Sequence, residues 1–395
     1  MAEAMTVRQR ARGIFRLTAL AGALLLGACQ TIVPRGPAPA PEAVKPPTVS
    51  EAEVQTGLPR DTARNRVALL VPLSGANAGV GKSLANATQL ALLDSRNDKV
   101  RITNYDTAIG AAAAARRAIA EGAQLILGPL LAEDVRAIAP IARAAKIPVL
   151  SFSNDASVAG DGVYLMGYAP AQSIERVVAF ARSRGVTNFG GLIPNSLYGT
   201  RASTTFLRAV ENGGGKVVSL QTYDRSGAAM AAAVGRMAKD APFDGVLIAD
   251  SSGAAAAGAP LVRRSSPSAR ILGSELWNSD NGGGREALNG AWFASVSNGF
   301  YRQYVTKYRA RFGAAPYRLS SLGYDAVLLT ARIARDWRVG APFPESRLRS
   351  GEGYAGIDGA FRFGRDGVAE RALEVQEIRD GSTIVVSPAP TSFDR

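Results

Sequence analysis

VALLVPLSGANAGVGKSLANATQLAL, residues 67–92, decides the fold. Val67 to Val71 is an unbroken apolar run, suited to a strand buried on both faces. Pro72-Leu73-Ser74-Gly75 stops it. From Gly81 to Leu93 the apolar residues Leu84, Ala87, Leu90 and Ala91 then fall at helical spacing. A buried strand that enters a helix through a tight turn is the opening half of a βαβ unit.

The alternation repeats outward from there. Strands are expected over 100–105, 125–128, 148–151, 188–193, 216–220, 245–249 and 270–273. Helices are expected over 111–121, 133–145, 199–211, 228–239 and around Leu261. The pattern predicts an α/β protein of two doubly wound parallel-sheet lobes, before and after about residue 172, with a cleft between them. Near the end, Phe361-Arg362-Phe363 and Ala372 to Ile378 alternate around Asp366-Gly367, which reads as an antiparallel ribbon with a turn.

Upstream, Arg8, Arg10, Arg12 and Arg16 precede an uncharged run from Leu17 to Ala28. A basic segment, a short apolar segment and small residues form an export signal, here residues 1–28. Cys29, the single cysteine, follows Leu26-Gly27-Ala28 and resembles the bacterial lipobox, in which the cysteine is acylated after cleavage. Gln30 follows it, where that resemblance implies the outer membrane rather than the inner one. Residues 29–63, with seven prolines from Pro34 to Pro59, read as an extended tether. Its ~35 residues could reach on the order of 100 Å.

Composition removes several chemistries. The chain has no histidine and no second cysteine, so Ser-His-Asp triads, cysteine nucleophiles and His- or Cys-ligated metals are excluded. No nucleophile–base pair suggests an enzyme, and no cofactor is expected. The formal charge is +13, but basic residues are scattered rather than striped with aromatics, so nucleic acid is not an expected partner. Gly79-Val80-Gly81-Lys82-Ser83 imitates a phosphate loop, yet its first glycine would fall at position 76, which is Ala. A glycine-rich strand-to-helix turn accounts for it.

The segments 67–92, LILGPLLAEDVRAIAPIARAAKIPVLSFSND (125–155), NSLYGTRASTTFLRAVENGGGKVV (195–218) and SSLGYDAVLLTARI (320–333) resemble the type I periplasmic binding proteins of the Leu/Ile/Val-binding family. That resemblance implies lobes that exchange segments through interdomain crossovers: 64–172 with 295–342 as lobe one, 173–294 with 343–388 as lobe two, and 389–395 as a tail. It also implies a cleft that holds a small polar solute. Ser74, Ser151, Ser153, Asn154, Tyr198 and Glu275 are the candidate contacts, and Trp277 is either cleft lining or core. Asp325 reads as a helix-start carboxylate.

Leu131 and Ala132 stand where an amino-acid receptor usually has a ligand-gripping serine after its Gly-Pro pair, here Gly128-Pro129. The string GPLLAEDV, Leu276-Trp277-Asn278 and the closing GIDGAFRFGRDGVAERALEVQEI are similar to LppC/LpoA-type lipoproteins. That second resemblance implies a non-catalytic, lipid-anchored periplasmic protein that docks on and activates a bifunctional penicillin-binding protein. A cell-wall fragment in the cleft stays compatible with it. The alternative is a receptor lipoprotein for an ABC transporter of branched-chain or related amino acids.

Overall fold

A computed structural model of the chain describes residues 61–278, 284–391 and 393. The export signal, Cys29, Gln30 and nearly all of the tether lie outside these residues. Among the described residues no helix is long and apolar enough to cross a membrane.

The first lobe is built on strands β1 (Asn65–Val71), β2 (Val100–Asp106), β3 (Leu125–Leu127), β4 (Val149–Ser151) and β5 (Val163–Leu165). They form one parallel sheet in the order β2-β1-β3-β4-β5. All seven residues of β1 are buried, as a central strand covered on both faces requires. Helices α1 (Ala78–Ser95), α2 (Ala111–Ala120) and α3 (Ala132–Ala144) supply the crossovers. The phosphate-loop imitation is explained by packing. A Cβ on Gly81 would lie 1.8 Å from the Pro72 carbonyl oxygen, so glycine lets α1 close onto the end of β1.

The second lobe follows: α4 (Pro170–Ser183), β6 (Asn188–Pro194), α5 (Leu197–Asn212), β7 (Lys216–Tyr223), α6 (Gly227–Asp240), β8 (Gly245–Ile248), α7 (Ser252–Ser265), β9 (Arg270–Gly273) and β10 (Trp292–Ser295). The chain then returns to the first lobe. Helices α8 (Gly299–Phe312) and α9 (Ser320–Ala334) place Tyr304, Leu322 and Val327 in the same core as Leu69 and Leu127. Three short strands, β11 (Tyr354–Gly356), β12 (Gly359–Phe363) and β13 (Ala369–Arg371), form a small antiparallel sheet beside that core. Finally β14 (Glu374–Arg379) and β15 (Ser382–Ser387) cross back and extend the second sheet, whose order is β15-β14-β10-β9-β8-β6-β7.

Two expectations are corrected here. Residues 343–371 were expected in lobe two, but Phe343, Leu348, Tyr354, Phe361 and Phe363 are buried in the first lobe's core, and the return to lobe two comes at Ala372-Leu373. The expected hairpin partner of 361–363 also differs. The Asp366-Gly367 turn joins β12 to β13, while Glu374 to Arg379 pairs with β10 and β15. Alternation marks a strand but not its neighbour, and here the neighbour lies across the lobe boundary.

Candidate functional site

Three crossovers join the lobes: β5 to α4, β10 to α8, and β13 to β14. Against all three lies a cavity of about 460 Å³. Tyr168, Ala169 and Gln172 come from the first crossover, Ser295 and Val296 from the second, Arg371 and Leu373 from the third. The first lobe adds Leu130, Leu131 and Phe152 from the ends of β3 and β4, and the second adds Glu275 and Leu276 after β9. Strand ends of doubly wound sheets are where such crevices form, because the flanking helices diverge there.

The sequence-derived candidates part company at this cavity. Asn154 and Glu275 line it. Ser151 and Ser153 do not: both are buried, and their hydroxyls are spent on the loop itself. Ser151 Oγ donates to the Pro129 carbonyl at 2.9 Å and accepts from the Ser153 amide at 3.0 Å, while Ser153 Oγ accepts from the Asp155 amide at 3.2 Å. Ser74 is exposed and bonded to Asp106. Tyr198 stands one residue behind the wall, its hydroxyl 2.7 Å from Ser274 Oγ and donating to Glu275 Oε1 at 3.0 Å. Trp277 is core: it is fully buried beside Phe293, and its Nε1 donates to the Asp250 carbonyl at 3.0 Å.

Glu275 contacts Ser173 through its other oxygen. Burial pushes its carboxyl above the usual range, against the hydrogen bonds from Ser173 and Tyr198.

The opposite wall carries the charge, and sequence reasoning missed it. Arg318, just before α9, is 2.8 Å from Asp358 Oδ1 and donates to Ser321 Oγ at 2.8 Å and to Tyr168 Oη at 3.1 Å. Its guanidinium lies 3.9 Å from the centre of the Tyr301 ring. Arg371 closes β13 and is only 8% exposed. It donates to the Met166 carbonyl and lies 5.1 and 5.3 Å from the Tyr168 and Phe361 ring centres. Arg318 Nε and Nη2 and Arg371 Nε and Nη1 are buried and make no hydrogen bond to any described residue.

Asp358 answers these cations. Burial works against its ionisation, yet Arg318, Arg371 and the hydroxyls of Tyr168 (2.6 Å) and Ser321 (2.8 Å) hold it below the usual carboxylate range. Beside it, Asp325 is 1% exposed and lies in the second turn of α9 rather than at the helix start as expected. It accepts the Ile357 amide at 2.7 Å, and a Cβ on Gly356 would lie 2.3 Å from its Oδ2. Burial, then repulsion from Asp358, pushes its carboxyl up to about 7. Among the described residues no group of three or more His, Cys, Asp or Glu side chains is arranged to hold a metal ion.

A family model for periplasmic binding proteins matches residues 65–383. The chain belongs to the periplasmic binding protein family. Its two lobes share their fold with the leucine binding protein LivK of Thermotoga maritima, at 21% identity and a TM-score of 0.63, over 83% of this chain and 99% of that one. They share it equally with the C-domain of LpoA from Haemophilus influenzae, a regulator of PBP1A, at 20% identity and a TM-score of 0.66, over 82% of this chain and all of that one. A stretch of 148 residues is 27% identical to the uncharacterised protein RP748 of Rickettsia prowazekii (strain Madrid E), spanning 37% of this chain and 38% of that protein. Family and neighbours alike are binding proteins or regulators.

Proposed function

We propose that this member of the family is a non-catalytic ligand-binding lipoprotein, held in the periplasm by acylated Cys29, whose lobes close on one small molecule. The cavity at the three crossovers carries this reading, since an occupant there touches both lobes at once. A largely apolar lining with a few buried charged groups is the composition of a small-molecule site rather than of a macromolecular face. The test is a thermal-shift and small-angle scattering screen of the purified protein against small polar and apolar metabolites. A ligand that raises the melting temperature and lowers the radius of gyration supports the reading, and a screen with neither response overturns it.

A second reading is docking on a bifunctional penicillin-binding protein at the outer membrane. Leu131 and Ala132 favour it, because these apolar side chains occupy the loop where a receptor for amino acids grips its ligand. Gln30 favours it too, since an outer-membrane anchor keeps the protein from a transporter in the inner membrane. Stimulation of a purified synthase by the protein, measured as glycan polymerisation, checks this reading. An ABC transporter receptor predicts no stimulation and binding to a permease instead.

A further inference from the structure

We propose that the outward face of α8 is a membrane-contact surface, which lays the first lobe on a bilayer of anionic phospholipid. This goes beyond the ligand-binding reading and needs neither an occupant in the cavity nor an acyl chain on Cys29.

The sheet of the first lobe is covered on both faces. Helices α1, α8 and α9 pack with Val67, Leu69 and Val71 on one face, and α2 and α3 pack with Ala68 and Leu70 on the other. Tyr301, Tyr304 and Tyr308 of α8 are buried in that first core, so the helix has a fixed inward side. Its outward side carries Arg302, Lys307, Arg309 and Arg311, all exposed, and the helix contains no Asp or Glu. Of these cations only Lys307 forms an ion pair with a described residue, Asp94 at 2.9 Å. The opposite face mixes the signs, with Glu133 and Asp134 opening α3.

Helical geometry sorts the outward residues into rows. With about 3.6 residues per turn, Phe300, Lys307 and Arg311 fall along one flank and Arg302 and Arg309 along the other. Gln303, Thr306 and Ala310 lie between them. The long cationic side chains on both flanks reach past this short uncharged strip to a common plane. Phe300, 63% exposed, adds an apolar side chain at the start of its row. The 14 residues extend this strip over about 21 Å.

The chemistry selects the occupant. A convex face of one sign offers its charges to an extended anionic surface, not to one small anion. Protein interfaces are depleted of charge at their centre and anchored by buried aromatics. Here cations fill both flanks, and the one exposed aromatic sits at the end. Single-stranded nucleic acid needs stacking rings, and α8 turns its tyrosines inward. The negative potential of an anionic leaflet attracts exposed Lys and Arg clusters of this kind. With Cys29 acylated as proposed above, the tether is long enough for α8 to reach the bilayer. Since α8 follows the second crossover and belongs to the first lobe, lipid would hold that lobe while the second turns.

Sedimentation with vesicles tests the proposal. The protein used is the chain from residue 30 onward, because both lobes lie within the described residues and the apolar run at 17–28 would enter a bilayer by itself. Binding should be about tenfold or more tighter to phosphatidylcholine vesicles containing phosphatidylglycerol than to phosphatidylcholine alone, and high salt should abolish the difference. Arg309→Glu with Arg311→Glu should weaken binding to the anionic vesicles about tenfold or more. Arg116→Glu with Arg208→Glu makes the same charge change on α2 and α5 and should leave binding within about twofold. All four arginines are exposed, and the melting temperature checks that the variants fold. Should the α8 pair lower it, Arg309→Gln with Arg311→Gln takes its place. Equal binding to both vesicles, or none, overturns the proposal. An equal loss from both variant pairs overturns it too, since net charge and not α8 would then drive binding. So does an α8 variant that keeps vesicle binding but no longer stimulates the synthase, which would make an acidic protein the occupant. Each of these outcomes leaves the ligand screen of the cavity untouched.

Discussion

Asp325 is a carboxyl whose protonation the fold has shifted far from its ordinary value of 3.8, up to about 7. Between those two values the folded chain binds a proton that the unfolded chain has released. Stability from this group is therefore complete below about pH 4 and lost as pH rises through 7. Asp325→Asn should flatten that decline, read as the difference in urea midpoint between pH 5 and pH 8 for variant and wild type. Trp277→Ala tests the core assignment. Removing a fully buried indole should cost about 3–5 kcal/mol in urea unfolding, whereas loss of a cleft residue would leave stability nearly intact. Individual residues were the least legible level of the sequence. Strand-end serines look like ligand contacts, but Ser151 and Ser153 serve their own turn. The two arginines stand far apart along the chain and each reads as a surface cation. One signal was available: β13 buries Ala369 and Arg371 and leaves Glu370 half-buried, so the strand's period of two points an arginine inward.

Elements were legible because their cause is local. The apolar run of β1 and the helical spacing in α1 to α3 need only neighbouring residues to specify them. Caps belong to the same scale. Ser196 Oγ accepts the Gly199 amide at 3.1 Å and closes the first turn of α5, the turn that holds Tyr198 against Glu275. Ser196→Ala should cost about 1 kcal/mol. It should also raise amide exchange at residues 198–200, and unchanged exchange there would separate the cap from the positioning of Tyr198. Pairing of elements was less legible. The 366–367 turn is real, but β13 ends after three residues and the following strand belongs to the other sheet. Only the position of β10, distant in sequence, decides that.

At the scale of the molecule, the lobes are tied away from the crossovers by an ion pair. Arg201 on α5 of the second lobe reaches Asp155 of the first at 2.8 Å, and Asp155 also takes Arg136 at 2.8 Å. Burial opposes its ionisation, but hydrogen bonds from Ser157 and Arg201 hold its carboxyl at about 2, so the contact persists across the neutral range and weakens only as pH falls toward that value. Arg201→Ala should raise the radius of gyration of the unliganded protein while changing unfolding free energy by about 1 kcal/mol or less. An unaltered scattering profile would mean the pair does not hold the lobes together. The two-lobe plan was readable from the repeated strand–helix alternation, and the late return at Ala372-Leu373 was not. Residues 343–371 carry no mark of which lobe they join until their aromatic side chains meet the first core.

The cavity's place at the three crossovers has a mechanical consequence. An occupant presses on the pivot rather than on the outer jaws, so it acts with a short lever arm. A displacement at Tyr168, Val296 or Leu373 therefore turns one lobe against the other, and Arg201 and Asp155, on opposite lobes, move with it. Ligands that differ by one methyl group would set measurably different jaw angles, and a partner that senses the rim would read ligand size as well as occupancy.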